Sequence, residues 1–391
     1  MDLNIFNSSR HSNWPGTMPE PSCLSIVGVD VRALAQSARR GGRRVIGIDG
    51  FCDLDTREAC VRTVRADGCS GDALADAALA TVLGGQRAEL IIGGGFDARP
   101  DLMRRLERSF RIRGNGPWTA GLLSDARSLF GLLDRLGIPY PPISHRLPAM
   151  PDEWLLKDTA SCGGQAVVPA TMVHEPDAAA GTYFQQRVFG RIVSVVFAAN
   201  GSEAVIIGYS RLFSQAVSGR PFGYAGAIGW AGPNQGQQRI LVGWIDALTH
   251  ALGLRGINGI DLILRSADSA PLLLDINARP TASLELHEDR LPAGGVQCHL
   301  DACNGHLPRP ARFQSMRGSR VVYTLCDTTI AHRPWPAWCS DRPPPGERIA
   351  AGEPLCSVQA SGTDSRAIEY LLAGRAGSIL HSFDHSESQA A

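Results

Sequence analysis

Short apolar runs alternate with helical repeats over residues 22 to about 100. Leu24-Ser25-Ile26-Val27-Gly28-Val29-Asp30 has strand length and ends in an acid. From Val31 to Gly41, Leu34, Ala35 and Ala38 recur at helical spacing, and Gly41-Gly42 stops the repeat. Arg44 to Asp49 is a second apolar run, Ala73 to Leu83 a second helix, and Glu89 to Ile92 a third strand. Strands alternating with helices predict a small parallel sheet. The loop Gly93-Gly94-Gly95-Phe96-Asp97 follows the third strand and lacks the G-x-G-x-x-G phosphate fingerprint, so it reads as a substrate loop.

Helical spacing continues over Leu102 to Ser109 and Trp118 to Gly137, the latter through Leu122, Leu129, Phe130, Leu133 and Leu136. Gly137 is a C-cap, and Pro139, Pro141 and Pro142 mark a domain junction. Residues 143 to 210 read mostly as strands, with Asn200-Gly201 as a hairpin turn. Residues 211 to 233 carry Gly219, Gly223, Gly226, Gly229 and Gly232 and read as a long functional loop. A helix over 237 to 253 ends at Gly253. Gly259 to Leu264 and Pro271 to Ile276 then form an apolar hairpin across the polar turn Arg265 to Ala270. The rest reads as short strands (Arg320 to Leu325, Leu355 to Gln359) and a helix over Ser365 to Gly374. Met1 to Pro21 and the residues from His381 read as tails.

Composition narrows the function classes. A chain of 391 residues implies two to four domains. Zero formal net charge and a pI near 7.1 favour neither nucleic acid nor an anionic membrane. The clusters Arg39-Arg40 and Arg43-Arg44 are too short for a binding patch. No apolar run reaches the roughly 18–20 residues of a membrane span, and Met1 to Pro21 lacks the basic start and apolar core of a signal peptide. Ten scattered cysteines fit a reducing cytosol, so a cytoplasmic protein is expected. Cys298-His299, Cys303 and His306 match no standard zinc spacing, and the reading is against a metal there, on an irregular connection from Pro292 to Pro310.

Two stretches carry candidate chemistry. The 38 Lys and Arg residues include a single lysine, Lys157. It ends the apolar run Trp154-Leu155-Leu156 and precedes a small, polar stretch with Gly163-Gly164, then Ala166-Val167-Val168. A lysine is a compact charge on a flexible stem, and a mobile glycine loop beside it can offer N–H groups, so the pair suits phosphates. The bland alternative is a chance lysine among arginines, and the stretch alone leaves the two even. In the hairpin, Asp261 lies on the first strand, with Asp275, Asn277 and Arg279 at the end of the second. Asp275 and Asn277 are two apart and share a face. Buried carboxylates are costly without a partner, which favours hard-cation ligands over mere turn residues.

The order of these features resembles the ATP-grasp superfamily, which includes D-alanine–D-alanine ligase, biotin carboxylase and carbamoyl-phosphate synthetase. The resemblance covers residues 22 to about 310, and Asp275-Ile276-Asn277-Ala278-Arg279 is its most specific part. It implies an α/β and α+β chain: an ATP-grasp fold with an N-terminal Rossmann-like pre-ATP-grasp domain and a small, mostly-β C-terminal domain. The expected divisions are a tail (1–21), a βαβ domain (22–116), a lid subdomain with its linking helix (117–210), a metal-binding subdomain (211–310), a β-rich domain (311–380) and a second tail (381–391).

By the same resemblance, Asp261, Asp275 and Asn277 bind two Mg²⁺, with Mn²⁺ as substitute. Lys157 contacts ATP phosphates beside Gly163 and Gly164. Gln185, Gln186 and Val188 match the segment that holds adenine and ribose, although Gln186 replaces the usual glutamate. A second lysine of the superfamily is missing; Asp125-Ala126-Arg127 stands there, with Arg127 as a stand-in. Lys157, Arg279 and Arg211 are the expected catalytic residues, and Tyr224 a further substrate contact. Asn277 to Glu285, Asp53 to Thr56 and the tail domain resemble a narrower carboligase-like group found beside genes for one-carbon coenzymes of the methanofuran and tetrahydromethanopterin types. Tyramine–glutamate ligase is a functional relative. The expectation is an ATP-dependent carboxylate–amine ligase with small-molecule partners, no nucleic acid or membrane partner, and a homodimeric state. The alternatives are a bicarbonate-activating carboligase like biotin carboxylase and a non-catalytic ATP-binding protein.

Overall fold

The computed structural model describes residues 23–82, 87–159, 163–164, 166–173, 177–179, 181–217 and 219–387, with side chains to Phe383. The expected N-terminal tail lies outside the described residues. The first unit runs β1 (Leu24–Val27), α1 (Arg32–Arg40), β2 (Val45–Asp49), α2 (Leu54–Ala59), β3 (Arg62–Arg65), α3 (Gly71–Leu79), β4 (Ala88–Ile92), α4 (Pro100–Glu107) and β5 (Phe110–Ile112). Among the described residues these strands form a five-stranded parallel sheet in the order β3-β2-β1-β4-β5. The order reverses between β1 and β4, and their C-terminal loops open on one edge, where doubly wound sheets bind ligands. β3 and β5 are four and three residues long, too short for a periodic signal.

The helix predicted over Trp118 to Gly137 is two: α5 (Pro117–Ser124) and α6 (Ala126–Leu136). Asp125 separates them in an extended conformation, and its carboxylate accepts the Ser128 N–H at 2.9 Å, an N-cap that restarts the helix. Gly137 ends α6 at φ 64°. Next, β6 (Ile143–Ser144), β7 (Trp154–Asp158), β8 (Val168–Pro169) and β9 (Thr182–Gln186) form a small antiparallel sheet in the order β6-β9-β7-β8.

The larger sheet takes β10 (Gly190–Asn200), β11 (Ala204–Val217) and β12 (Arg220–Trp230). After α7 (Gln235–Leu252) it adds β13 (Arg255–Arg265) and β14 (Pro271–Asn277). A 3-10 segment (Ala282–Arg290) and α8 (Gly295–Cys303) lead to β15 (Met316–Tyr323), β16 (Thr328–Thr329), β17 (Cys339–Ser340), β18 (Arg348–Ile349), β19 (Pro354–Gly362) and α9 (Ser365–Glu387). Among the described residues the sheet has eight strands, in the order β14-β13-β10-β11-β12-β15-β19-β17.

Several expectations need correction. Within residues 211 to 233, 211–217 and 220–230 are not a loop but the arms of the β11–β12 hairpin, turning at Gly219. Their glycines are there for close packing: a Cβ on Gly226 would lie 2.2 Å from the Ser319 carbonyl oxygen, and one on Gly229 would lie 3.0 Å from the His287 ring. The lid cannot extend to 210, since β10 and β11 belong to the larger sheet. The mostly-β tail is joined to that sheet, since β15, β19 and β17 extend it beyond β12. Pro292 to Pro310 contains α8, and α9 continues to Glu387.

One face of the larger sheet packs Val193, Val195, Phe197 and Leu262 against α6 and α7. The other packs Val196, Ala198, Ile207 and Ile257 against α1, α8 and the 3-10 segment. A separate core under α9 joins Ile228, Val358, Ile368 and Leu372.

Candidate functional site

The gap between the two antiparallel sheets collects the chemistry. Lys157 lies on β7 opposite Tyr183 of β9. Its Nζ donates to Gln185 Oε1 at 3.3 Å and, across the gap, to the Leu274 carbonyl at 3.1 Å. Leu274 is the extra residue of a β-bulge, since Asp261 pairs with Asp275 and Leu262 with Leu273. The bulge takes Leu274 out of the ladder and leaves its carbonyl for the lysine. Burial works against the Lys157 charge, but Tyr183, Asp275 and Asp261 outweigh it and hold the ammonium above its ordinary pKa.

Asp261 and Asp275 are direct cross-strand partners, which sets their Cβ atoms about 5 Å apart. Asn277 follows on the same face, and its Nδ2 donates to Asp261 Oδ2 at 3.1 Å. Asp275 opens into the cleft and caps its own chain, with Oδ1 accepting the Ile276 N–H at 2.8 Å. Burial, then the Asp275 charge, push Asp261 up to about 6. Arg279 closes the group. Its Nε donates to both oxygens of Asp97, at 2.8 and 3.0 Å, and Nη2 donates to Asn277 Oδ1 at 3.0 Å. Gly94 lies against this guanidinium; a Cβ there would meet Cζ at 3.7 Å. The Gly93–Asp97 loop is therefore part of the site. A cleft of about 760 Å³, lined by Gly93, Asp97, Asp275, Asn277 and Arg279, runs below it.

The glycine loop reaches over from the small sheet. Gly163 and Gly164 have φ of 64° and 71°. The Gly163 carbonyl accepts the Tyr224 N–H at 2.9 Å, and a Cβ on Gly164 would lie 2.1 Å from the Phe222 carbonyl oxygen. Tyr224 spans toward the acids: burial, then Glu285 and Asp261, push its phenol pKa up. Gln185 is 3% exposed and turns its amide to Lys157, whereas Gln186 is half-buried and its backbone N–H donates to the Pro142 carbonyl at 2.8 Å. Val188 follows, half-buried, between β9 and β10.

The structure does not bring Arg211 to this group. Ser210 faces His287 at 2.9 Å, so its neighbour Arg211 points to the opposite side of the sheet, where it pairs with Glu369 of α9. Arg127 is exposed on α6. His299 is a structural residue: Ile257 N–H donates to Nδ1 at 2.9 Å, and Nε2 bonds the Arg113 carbonyl at 2.8 Å. Asp97 and Tyr183 are site residues that spacing did not reveal, because their partners Arg279 and Lys157 lie 182 and 26 residues away in the chain.

The donor set fits a magnesium nucleotide. Asp261 Oδ1 and Gln185 Nε2 are buried and, among the described residues, have no hydrogen-bond partner. One can accept a cation and the other can donate to a ligand. Among the described residues no three His, Cys, Asp or Glu side chains form a cage. Two carboxylates, an amide oxygen and the phosphates themselves are what Mg²⁺ ordinarily takes.

Residues 123–283 match the model of the ATP-grasp domain. No curated protein matches the chain in sequence. Among solved structures, the biotin carboxylase domain of 2-oxoglutarate carboxylase from Hydrogenobacter thermophilus, a dimer in complex with MgADP, ADP and bicarbonate, superposes with a TM-score of 0.66 at 12% identity. The match covers 88% of this chain and 86% of that one. N5-carboxyaminoimidazole ribonucleotide synthetase from Thermus thermophilus gives 0.64 at 16%, covering 91% and 98%. L-amino acid ligase from Bacillus licheniformis gives 0.63 at 14%, covering 90% and 96%. The fold is an ATP-grasp fold, with a parallel sheet at its N-terminal end and antiparallel sheets after it. Among the described residues no helix is long and apolar enough to cross a membrane.

Proposed function

We propose that this chain is an ATP-dependent carboxylate–amine ligase that works through an acyl phosphate and releases ADP and phosphate. The observation that carries the reading is the convergence of Lys157, Asp261, Asp275, Asn277 and Arg279 on one gap between two sheets. Asp261, Asp275 and Asn277 would hold the magnesium ions, with manganese as substitute; bound there, the metal supplies charge neutralisation on the ATP phosphates. Lys157 and Arg279 contribute fixed positive charge where the γ-phosphoryl group passes to the carboxylate, a transfer that depends mainly on positioning and electrostatics. Gln185 orients the lysine and offers its free amide N–H to the nucleotide, with Gln186 and Val188 at the adenine end. Gly163 and Gly164, folded onto β12, exclude water from the acyl phosphate until an amine attacks.

Within this reading we assign the enzyme to biosynthesis of a one-carbon-transfer coenzyme, as a glutamate ligase of methanofuran type or a tetrahydromethanopterin-type counterpart. The support is the sequence resemblance over Asn277 to Glu285 and Asp53 to Thr56. A homodimer is the assembly we propose, by analogy with the dimeric Hydrogenobacter domain. A second reading, bicarbonate activation, is favoured by the fold match to that biotin carboxylase domain over 88% of the chain.

ADP release with Mg-ATP and pairs of carboxylates and amines, beginning with glutamate and tyramine-like amines, tests these readings. Ligation predicts release that needs both partners and falls by about 100-fold or more in Asp275→Ala and Asn277→Ala, as for loss of transition-state charge stabilisation. Bicarbonate-dependent release without an amine would replace ligation by carboxylation. Mg-dependent ATP binding without turnover would mark a nucleotide-binding protein. Unchanged turnover in both variants would overturn the metal assignment.

A further inference from the structure

A second cavity lies on the larger sheet, apart from the gap that holds Lys157. It encloses about 620 Å³ and is lined by Glu285, Arg317, Trp338, Gln359, Ser361 and Arg375. Its floor is the end of β15 and β19, where Arg317 and Ser361 are direct cross-strand partners and so share a face. One rim is the 3-10 segment at Glu285 and Leu286; the other is Trp338 with Arg375 of α9. The register across the sheet gives the distance from the acids. Asp261 pairs with Ser194, Ser194 with Ser210, and Ser210 with Gly229. Ile228 pairs with Gly318, so the next position sets Gly229 beside Arg317. Arg317 is therefore four strand spacings from Asp261 along one row, about 19 Å. The His287 ring lies between them, against Ser210 and Gly229.

The lining leaves positive charge unanswered. Arg317 is half-buried, and among the described residues no hydrogen bond or ion pair engages its guanidinium. Arg375 is held in place: one N–H donates to the Gln359 carbonyl, and Cζ lies 5.2 Å from the centroid of the Trp338 ring. A guanidinium carries five N–H donors, so most of those on Arg375 stay available. The one acid of the lining, Glu285, is already committed to Arg32 at 2.7 Å and to Gln359 Nε2 at 3.5 Å. Burial, then Arg290 and Arg317, hold His287 down to about 3, so the ring between the two regions is neutral. Arginine stays protonated at every accessible pH. Two guanidinium groups on one cavity, with its acid paired elsewhere, attract an anion.

We infer that Arg317 and Arg375, with Ser361, form a site for a small oxyanion, a dicarboxylate or a phosphate. Guanidinium forks match the paired oxygens of both groups and bind them bidentately. The Ser361 hydroxyl adds a third donor beside Arg317. Trp338 fixes the Arg375 fork by stacking on it, so less order is lost when the anion binds. The site is separate from the phosphoryl gap and stands or falls without the ligase reading. Glu285 on its rim pairs with Arg32 of α1, so the anion sits beside the contact that joins the first sheet to the 3-10 segment.

The test is calorimetric titration of the full chain with sodium phosphate and, separately, sodium succinate at constant ionic strength, with sodium chloride as comparison probe. Arg317→Gln, Arg375→Gln and Lys157→Gln are run beside Arg348→Gln, an exposed control. Saturable binding of at least one oxyanion in the parent is expected. It should be about tenfold or more weaker in Arg317→Gln and Arg375→Gln, and unchanged in Lys157→Gln and the control. Arg317 has no partner to lose, so its variant should keep the Tm of the ligand-free protein and no longer gain Tm from the anion. Saturation by succinate alone would identify a dicarboxylate site, and by phosphate alone a phosphate site; either supports the inference. No saturable binding of either, equal binding in Arg317→Gln, or equal saturation by chloride would overturn it. Loss in Lys157→Gln without loss in Arg317→Gln would also overturn it, by placing the anion in the phosphoryl gap.

Discussion

Lys157 is half-buried and Asp53 buried, and their surroundings treat these two ionisable groups in opposite ways. Lys157 faces Asp275 and Asp261 and stays charged, so it is preorganised for an anion. Asp53 faces its own sign and is pushed up to about 9. Its native pKa lies above the unfolded value, so the folded chain binds the extra proton. Its contribution to stability is full below the ordinary value of 3.8 and is lost as pH rises through about 9. The slope approaches about 1.4 kcal/mol per pH unit for that proton. Urea unfolding from pH 5 to 9 should show stability falling with pH, and Asp53→Asn should flatten the fall. An unchanged slope in the variant would assign the proton elsewhere. The charged and titratable groups around Asp53 that share the effect are Asp30, Asp49, Asp55, Asp341 and Arg32.

Among the elements, the glycines at 163–164 rest on β12 of the β11–β12 hairpin. Gly164 has both a left-handed backbone and a Phe222 carbonyl oxygen where a Cβ would be, so only glycine lets the loop rest on β12. Gly164→Ala should therefore leave the Tm within about 1 °C, because the loop is peripheral. It should weaken MgADP binding and cut turnover by about tenfold or more through poorer closure. Fluorescence titration with MgADP checks the first effect, and unchanged affinity would show that closure does not involve this contact. The hairpin shows why spacing misled. Its glycines mimic a flexible loop, yet Gly226 and Gly229 are small because Ser319 and His287 press on the sheet. The bulge at Leu274 was equally hidden, since nothing in Pro271–Asn277 interrupts the apolar run.

At the scale of the whole molecule, one arginine ties three regions. Arg32 of α1 pairs with Glu285 of the 3-10 segment and Asp341 of the tail, and is 3% exposed. Asp55 adds backbone bonds to the same tail segment, and Arg65 pairs with Glu347 at 2.6 Å. Arg32→Ala would leave two carboxylates unpaired and should cost about 3–5 kcal/mol. Urea unfolding measures this, and adding Asp341→Asn should recover part of the loss. A loss below about 1 kcal/mol would show the pair to be no better than a surface bridge.

Residue order alone was enough for the local elements with strong periodicity or punctuation: the βαβ start, α6 with Gly137, α7 with Gly253, and the β13–β14 hairpin. It also singled out Lys157, Asp261, Asp275 and Asn277 as candidates, because a lone lysine at a strand end and oxygen-bearing side chains two residues apart are visible without a partner. Which residues meet was left to tertiary packing. Packing turned Arg211 away to Glu369, set Asp97 on Arg279, ran one sheet through the ranges expected of two domains, and set Asp53 among acids. Each of these depends on strands and loops far apart in the chain, whose pairing follows from packing of the whole fold and leaves no period or spacing to read.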